Sequence, residues 1–398
     1  MEYLFSTSLL KPAQEAQKFH RLLVEGFAMY EKSCRVITLS SIPVNSTIHK
    51  RRIWSIKPEI FGNIKYTYIL IINLPIIRNI VSFVIVFIKT VLSNLLALKE
   101  TQIVICDLLN CSIASAALLA CKLTATKAVV IVTDLPYIMG VSLNSKFNFK
   151  TSVFNKVVSF FMVKFDGYVL LTEQMNIVVN PNAKPSLIME GLVDINMKIS
   201  NNSINNKAAQ RILIYAGGIY EKYGVKKLIE AFRKLGDDDI RLHIYGSGEM
   251  ENDMTNYMKL DDRLIYQGVV LNEIVVQREL EAILLINPRS SKEEYTKYSF
   301  PSKNMEYMAS GTPLVTTPLP GMPEEYYKYV YLFNDESVEG MYHTLKQLLS
   351  KPKEELHQFG NQAKQFVLNN KSNWIQAKRL LSFFEEVNSF SGKPNPIT

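Results

Sequence analysis

Short unbroken apolar runs recur along the chain, and between them apolar positions return every three to four residues. In the first half the runs fall at 35–39, 102–107, 127–133, 167–172 and 186–189, with helical spacing at 14–30 and 112–123. A continuous apolar run marks a strand buried on both faces, as in a parallel sheet, whereas a period near 3.6 marks a helix with one buried face. The polar, turn-rich segment 200–207 interrupts this pattern. It then restarts, with strands expected at 211–216, 240–245, 264–266, 282–286, 313–317 and 330–332 and helices at, for example, 225–235 and 271–280. Alternation on both sides of a break predicts an α/β fold of two doubly wound, Rossmann-like parallel-sheet domains facing a cleft. The domains expected are 1–199 and 209–372, joined by a linker at 200–208. An amphipathic helix at 373–390 is expected to pack back toward the first domain, and 391–398 reads as a tail.

Ligands of such sheets bind beyond the carboxyl ends of the strands, and segment 287–313 is the richest in chemistry there. It reads as a strand end, a polar loop carrying Arg289, and a helix opening at Pro301, where a missing N–H does no harm. Gly311 and Pro313 close that helix. Ser302, Lys303 and Glu306 share one side of it, and Met305, Met308 and Ala309 the other. Helix N-terminal amides, a hydroxyl and an ammonium suit phosphates, and a carboxylate one turn further in suits the hydroxyls of a ribose. An ordinary capped surface helix would show the same residues.

Composition narrows the class. With 398 residues, 47% apolar and 21% charged, the chain is folded, globular and too long for one core. Its four cysteines, Cys34, Cys106, Cys111 and Cys121, lie in apolar runs without CxxC spacing, so reduced buried thiols are expected rather than zinc. The N-terminus lacks the pattern of a secretory signal, and a cytoplasmic location is expected. The net charge of +8 is uneven: residues 1–195 carry 20 Lys and Arg against 12 Asp and Glu, and the remainder is balanced. Within that basic half, 66–98 is strongly apolar, its runs split by Arg78 and Lys89. Either a helix dipping into an anionic membrane surface, peripheral on the inner face, or a buried core helix would account for it. No basic run or motif points to nucleic acid. The five histidines are scattered, which argues against a metal site or a histidine triad. Asp237–Asp239 falls in a helix–strand turn, where acidic residues are common.

Gly217 and Gly218 follow the first strand of the second half, with Lys222 leading into the next helix, and Gly246 and Gly248 follow the second strand. Paired glycines after a strand permit close backbone approach to a phosphate, although tight turns use them too. These features, with Gly268-Val-Val and the block from Phe300-Pro-Ser-Lys to Gly311-Thr-Pro, occur in the order seen in GT-B glycosyltransferases. The chain resembles the retaining glycosyltransferase family 4, in particular its bacterial surface-polysaccharide (capsule or exopolysaccharide) members. The resemblance is close over about 210–320 and general over 1–195.

The resemblance implies transfer of a hexose from a nucleoside-diphosphate sugar, a UDP-sugar by preference, to a glycan or lipid-linked acceptor. No metal or other cofactor is implied, because cations and helix dipoles can hold the leaving diphosphate. The family's second glutamate falls on Glu306 and its first on Tyr298, with Ser299 beside it. Its phosphate-binding arginine and lysine fall on Gly218 and Tyr223, so Arg289 and Lys303, then Lys222, are expected to carry that charge. Asp134 falls near a histidine that contacts the donor sugar in relatives; an Asp-turn is the alternative. Lys11, Thr172, Glu173 and Glu190 are expected on the acceptor side. An epimerase, or a non-catalytic partner that keeps the fold, are the competing functions.

Overall fold

The computed structural model describes residues 2–6, 18–30, 35–40, 52–96, 103–135, 159–199 and 201–390. The chain divides into two compact units, Met1–Leu192 with Asn373–Thr398, and Val193–Ser372. In the first unit β1 (Glu2–Ser6), α1 (Lys18–Tyr30), β2 (Arg35–Ser40), β3 (Ile53–Trp54), β4 (Glu59–Phe61), β5 (Ile64–Tyr68), β6 (Ile71–Ile72) and α2 (Pro75–Leu96) come first. They are followed by β7 (Ile103–Asp107), α3 (Cys111–Leu123), β8 (Lys127–Val132), β9 (Gly167–Leu170), α4 (Glu173–Val179) and β10 (Ser186–Ile188). The sheet runs β10-β9-β8-β7-β1-β2-β5-β4, parallel except for the antiparallel edge strand β4, and β3 pairs with β6 separately. Every residue of β7 and β9 is buried, which is why these strands read as continuous apolar runs.

The second unit contains β11 (Arg211–Ala216), α5 (Val225–Arg233), β12 (Ile240–Tyr245), α6 (Glu251–Leu260), β13 (Leu264–Gly268) and α7 (Asn272–Glu281). Then come β14 (Leu284–Asn287), α8 (Ser302–Ser310), β15 (Leu314–Thr316), β16 (Tyr331–Leu332), α9 (Val338–Leu349) and α10 (Lys353–Asn370). Its six strands, all parallel, are ordered β13-β12-β11-β14-β15-β16. The order reverses between β11 and β14, so the loops that leave these two strands diverge and open a crevice. Helix α11 (Asn373–Ser389) returns to the first unit, where Leu380, Phe383 and Phe384 share a core with Phe27 of α1.

Several expectations change. The stretch 66–98 is not one helix: its first part forms strands β5 and β6, and α2 begins at Pro75. The polar segment 200–208 lies inside the second unit, because Asn202 donates to the Ser310 carbonyl at 2.8 Å and Lys207 to the Leu280 carbonyl at 2.9 Å. Pro301 caps α8 from outside, with ψ 111°, and the helix starts one residue later. Asp237 and Asp239 bind the Arg211 guanidinium at 3.0 and 2.6 Å. Residues 391–398, Cys34 and Lys11 with the loop around it fall outside the described residues.

Candidate functional site

The crevice between β11 and β14 is built around the N-terminus of α8. Tyr307 fixes this helix to the end of β11: its hydroxyl accepts from the Ala216 amide at 2.7 Å and donates to the Ala216 carbonyl at 3.3 Å. Asn304 fixes it to β14 and β15, accepting from Asn287 at 2.6 Å and donating to Thr316 at 3.3 Å, all buried. Satisfied buried polar links of this kind hold a helix in one register. Met305, Met308 and Ala309 are buried as their spacing requires, and Ser302 is exposed at the first turn.

Glu306 is only 8% exposed, and the Lys303 ammonium rests on its Oε1 while also donating to Asn272 at 3.3 Å. Lys303, expected to face a phosphate, is therefore directed at the carboxylate one turn on. An i,i+3 ion pair beside a helix N-terminus orients that carboxylate and keeps the cation within reach of the first turn.

The opposite wall comes from the loops after β11 and β14. Gly217 donates to the Tyr245 carbonyl and Gly246 to the Gly268 carbonyl, which laces the ends of β11, β12 and β13 together. Gly246 has φ +125°, and a Cβ there would stand 1.9 Å from the Gly217 oxygen. Gly224 has φ +79°, and its Cβ would stand 2.0 Å from the Pro288 oxygen, so the start of α5 touches the loop after β14. Beside that contact is a cavity of about 280 Å³ lined by Lys222, Lys227, Ser290, Glu293 and Glu336.

Arg289, half-buried, lies over the ring of Tyr223 at 4.5 Å and that of Tyr295 at 5.7 Å, and its buried Nε has no hydrogen-bond partner among the described residues. Lys222 lies 5.5–5.9 Å from the rings of Tyr220, Tyr223 and Tyr295. The Tyr215 hydroxyl donates to the Gly218 carbonyl at 2.6 Å. Burial pushes the Tyr215 phenol well up and that of Tyr295 up to about 12, while Arg289 pulls both the other way. Both are neutral donors at neutral pH. Two cations among tyrosines, beside a helix N-terminus, can bind a diphosphate. Tyr298 and Ser299 end the turn before Pro301; Ser299 is buried, and its Oγ has no partner among the described residues.

Sequence reasoning missed Tyr215, Tyr220, Tyr295, Asn304 and Tyr307, whose roles depend on contacts between distant segments. It also missed a buried pair in the first unit, His20 on α1 and Asp107 at the end of β7, with Nε2 3.8 Å from Oδ1. Asp134, after β8, is half-buried, and burial together with Asp107 pushes its carboxyl up to about 6. Thr172 is buried at the start of α4, Glu173 is exposed and Glu190 is buried. The first unit thus gathers acidic groups at the carboxyl edge of its sheet, beside the point where its strand order reverses between β1 and β7. Among the described residues no group of His, Cys, Asp and Glu has the geometry to hold a metal.

Residues 197–366 match the family model of Glycosyl transferases group 1. The match lies within the second unit and includes all of α8 and the loops around it. The chain is similar in fold to sucrose-phosphate synthase from Thermosynechococcus elongatus, at 13% identity and TM-score 0.65, over 96% of this chain and 98% of that one. It is similar to Anabaena HepE, solved in complex with UDP, at 12% identity and TM-score 0.64, over 97% and 100%. It is also similar to the lipopolysaccharide outer core galactosyltransferase WaaB, at 14% identity and TM-score 0.60, over 97% and 99%. These likenesses establish the α/β GT-B fold. No curated protein sequence matches the chain.

Proposed function

We propose that the chain is a retaining glycosyltransferase that moves a hexose from a UDP-sugar to a hydroxyl of a growing, lipid-linked surface glycan on the cytoplasmic side of a membrane. The observation that carries this reading is the start of α8, with Ser302, Lys303 and Glu306 held at the carboxyl ends of β11 and β14 by Tyr307 and Asn304. The group 1 match covers the same residues, and the neighbour HepE was solved with UDP. In this reading Glu306 receives the ribose hydroxyls, and the α8 amides with Ser302 receive phosphate oxygens. Arg289 and Lys222 offset the charge that grows on the diphosphate as the glycosidic bond breaks. The scheme calls for no metal: the leaving oxygen is stabilised by guanidinium, ammonium and helix dipole, and the acceptor hydroxyl attacks from the face the diphosphate leaves. Asp134 and Glu190 are assigned to the acceptor and sugar side.

One observation favours a second reading: Tyr298 stands where the family pattern has its first glutamate, which suits a nucleotide-binding partner without turnover. Incubation with a panel of UDP-sugars, without acceptor, separates the two. Slow sugar release, with the α-anomer formed first from an α-linked donor, supports the transferase. UDP binding with no release from any donor supports the partner.

A further inference from the structure

Helix α2 is inside out. Two rows of residues run along it, each at a spacing of four: Ser82, Val86, Thr90 and Asn94, and Ile80, Val84, Ile88 and Leu92. The rows are offset by two residues, about 200° around the helix, and so lie on opposite faces. The first row faces inward: Ser82, Val86 and Thr90 are buried, and Asn94 donates to Thr124 at the end of α3 at 2.7 Å. The second row is outward, with Ile80, Val84, Ile88 and Leu92 each about half exposed, continued by Ile77 and Leu95. A soluble helix buries its apolar row. One that packs through small and polar residues and turns aliphatic ones outward is built for an apolar solvent. The segment Ile77–Leu96 is long and apolar enough to cross a membrane, yet only 17% of it is buried.

Two further features indicate which apolar phase covers it. Neither α2 nor α3 contains an acidic residue, while α2 carries Arg78 and Lys89; Lys122 of α3 is paired with Asp166 at 2.9 Å. Burial, and then the like charge of Lys65, lower the Lys89 ammonium, and no carboxylate among the described residues forms an ion pair with either lysine. At one end of the face, α2, α3 and the segment around Phe161 enclose a cavity of about 410 Å³ lined by Ile80, Phe83, Leu108, Ser115, Phe161 and Phe165. Exposed Phe160 lies next to it, with the Lys164 ammonium 3.7 Å from its ring centre. Aromatic and basic side chains at the rim of an apolar surface are what the headgroup layer of a bilayer selects.

We propose that the Ile77–Leu95 face of α2 lies in the interface of an anionic phospholipid bilayer, with the cavity beside Phe83 and Phe161 receiving one acyl chain. The helix stays on α3 through its Ser82–Asn94 row and does not span. This surface is independent of the donor-site reading, because lipid binding is measured without nucleotide.

The test uses the full chain with vesicles of phosphatidylcholine, with and without phosphatidylglycerol. Binding should rise with the anionic lipid and fall in ~1 M salt, where the screening length is about 3 Å. The double variant Val84→Asp/Ile88→Asp, at exposed positions, should keep its circular dichroism and melting temperature and lose at least about tenfold in vesicle partition. In Ile88→Trp the added emission should be quenched by lipids brominated on their acyl chains. Unchanged partition of the double variant overturns the proposal, as does a wild-type chain that ignores anionic vesicles. Two other occupants would also overturn it. Residues 136–158 of the same chain on this face would shield Trp at 88 from brominated lipid, and a second copy would make the wild type a dimer and the double variant a monomer. Donor hydrolysis in lipid-free buffer should be equal in both proteins, so failure here leaves the donor-site reading standing.

Discussion

Replacing Glu306 by alanine tests the nucleotide site most directly. A carboxylate accepting a hydroxyl contributes about 1.5–3 kcal/mol per bond, and about 1.4 kcal/mol is tenfold in affinity. In the structure Oε1 is held by Lys303. If that contact persists when UDP binds, one ribose bond depends on Glu306, and its loss weakens binding by about 10- to 150-fold. If Lys303 instead swings to the diphosphate, both carboxylate oxygens serve the ribose and the loss exceeds about a hundredfold. Lys303→Ala separates these cases: it weakens uridine and UDP alike in the first, and UDP alone in the second. The fold should survive, since alanine favours helix and the Lys303 side chain, 30% exposed, can turn to water when its partner is gone. Calorimetric titration of UDP and uridine into wild type, Glu306→Ala and Lys303→Ala gives the comparison. A folded Glu306→Ala protein that binds UDP with wild-type affinity refutes the assignment.

Arg289→Ala should reduce donor turnover on the order of a hundredfold with a smaller change in KM, because the diphosphate charge is greatest in the transition state. A rise in KM with turnover intact would show that Arg289 binds only the ground state. Gly246→Ala, at φ +125° with a Cβ driven to 1.9 Å from Gly217, should destabilise by more than about 3 kcal/mol in urea unfolding. Gly268→Ala, at φ +67° with nothing within 4 Å, should cost only about 1 kcal/mol, and equal losses would disprove the close-approach argument. Burial pulls the Lys207 ammonium down to about 7. Between about pH 7 and the unfolded value near 10.4 the unfolded chain therefore holds more protons, and stability should rise with pH. Lys207→Met should flatten that rise; an identical slope in both proteins removes Lys207 as its source.

The strand–helix alternation was legible because parallel strands buried on both faces give unbroken apolar runs, and β7, β8, β9 and β11 lie within a residue or two of where those runs fall. Helix α8 was legible to one residue because its punctuation is local: a proline before it and Gly311, at φ +80°, after it. The content of the site was less legible. That Glu306 and Lys303 share a side followed from spacing, but their contact does not, because an ammonium on a four-carbon stem has many partners in reach. Tyr307 sits in the sequence as one apolar residue of a helix, and nothing local shows that its hydroxyl closes onto Ala216, 91 positions earlier. His20 and Asp107 meet across a similar separation. Segment 200–208 looked like a linker because asparagine and serine favour turns. Asparagine also donates well, and Asn202, like the nearby Lys207, donates to a carbonyl inside the second unit.

The two departures from the phosphate-binding pattern that the resemblance supplies are linked in space. The pattern would place an arginine at 218 and a lysine at 223; the chain has glycine and tyrosine. A Cβ at Gly218 would stand 2.8 Å from Tyr220 Cε2 and 3.0 Å from Tyr223 Cε2, so these rings occupy the space that a side chain at 218 would fill. The face of Tyr223 in turn carries Arg289, 4.5 Å from its centre, and Lys222 approaches the same ring. Tyr220 and Tyr223 together crowd a side chain at 218, and Tyr223 also seats a cation arriving from the loop after β14. Stacking of guanidinium on a phenol contributes roughly 0.5–2 kcal/mol and leaves the outward N–H groups able to donate. If Arg289 carries the positive charge that the pattern places at 218, Arg289→Ala should abolish sugar release from a UDP-sugar in a protein that stays folded, and unchanged release would refute that placement.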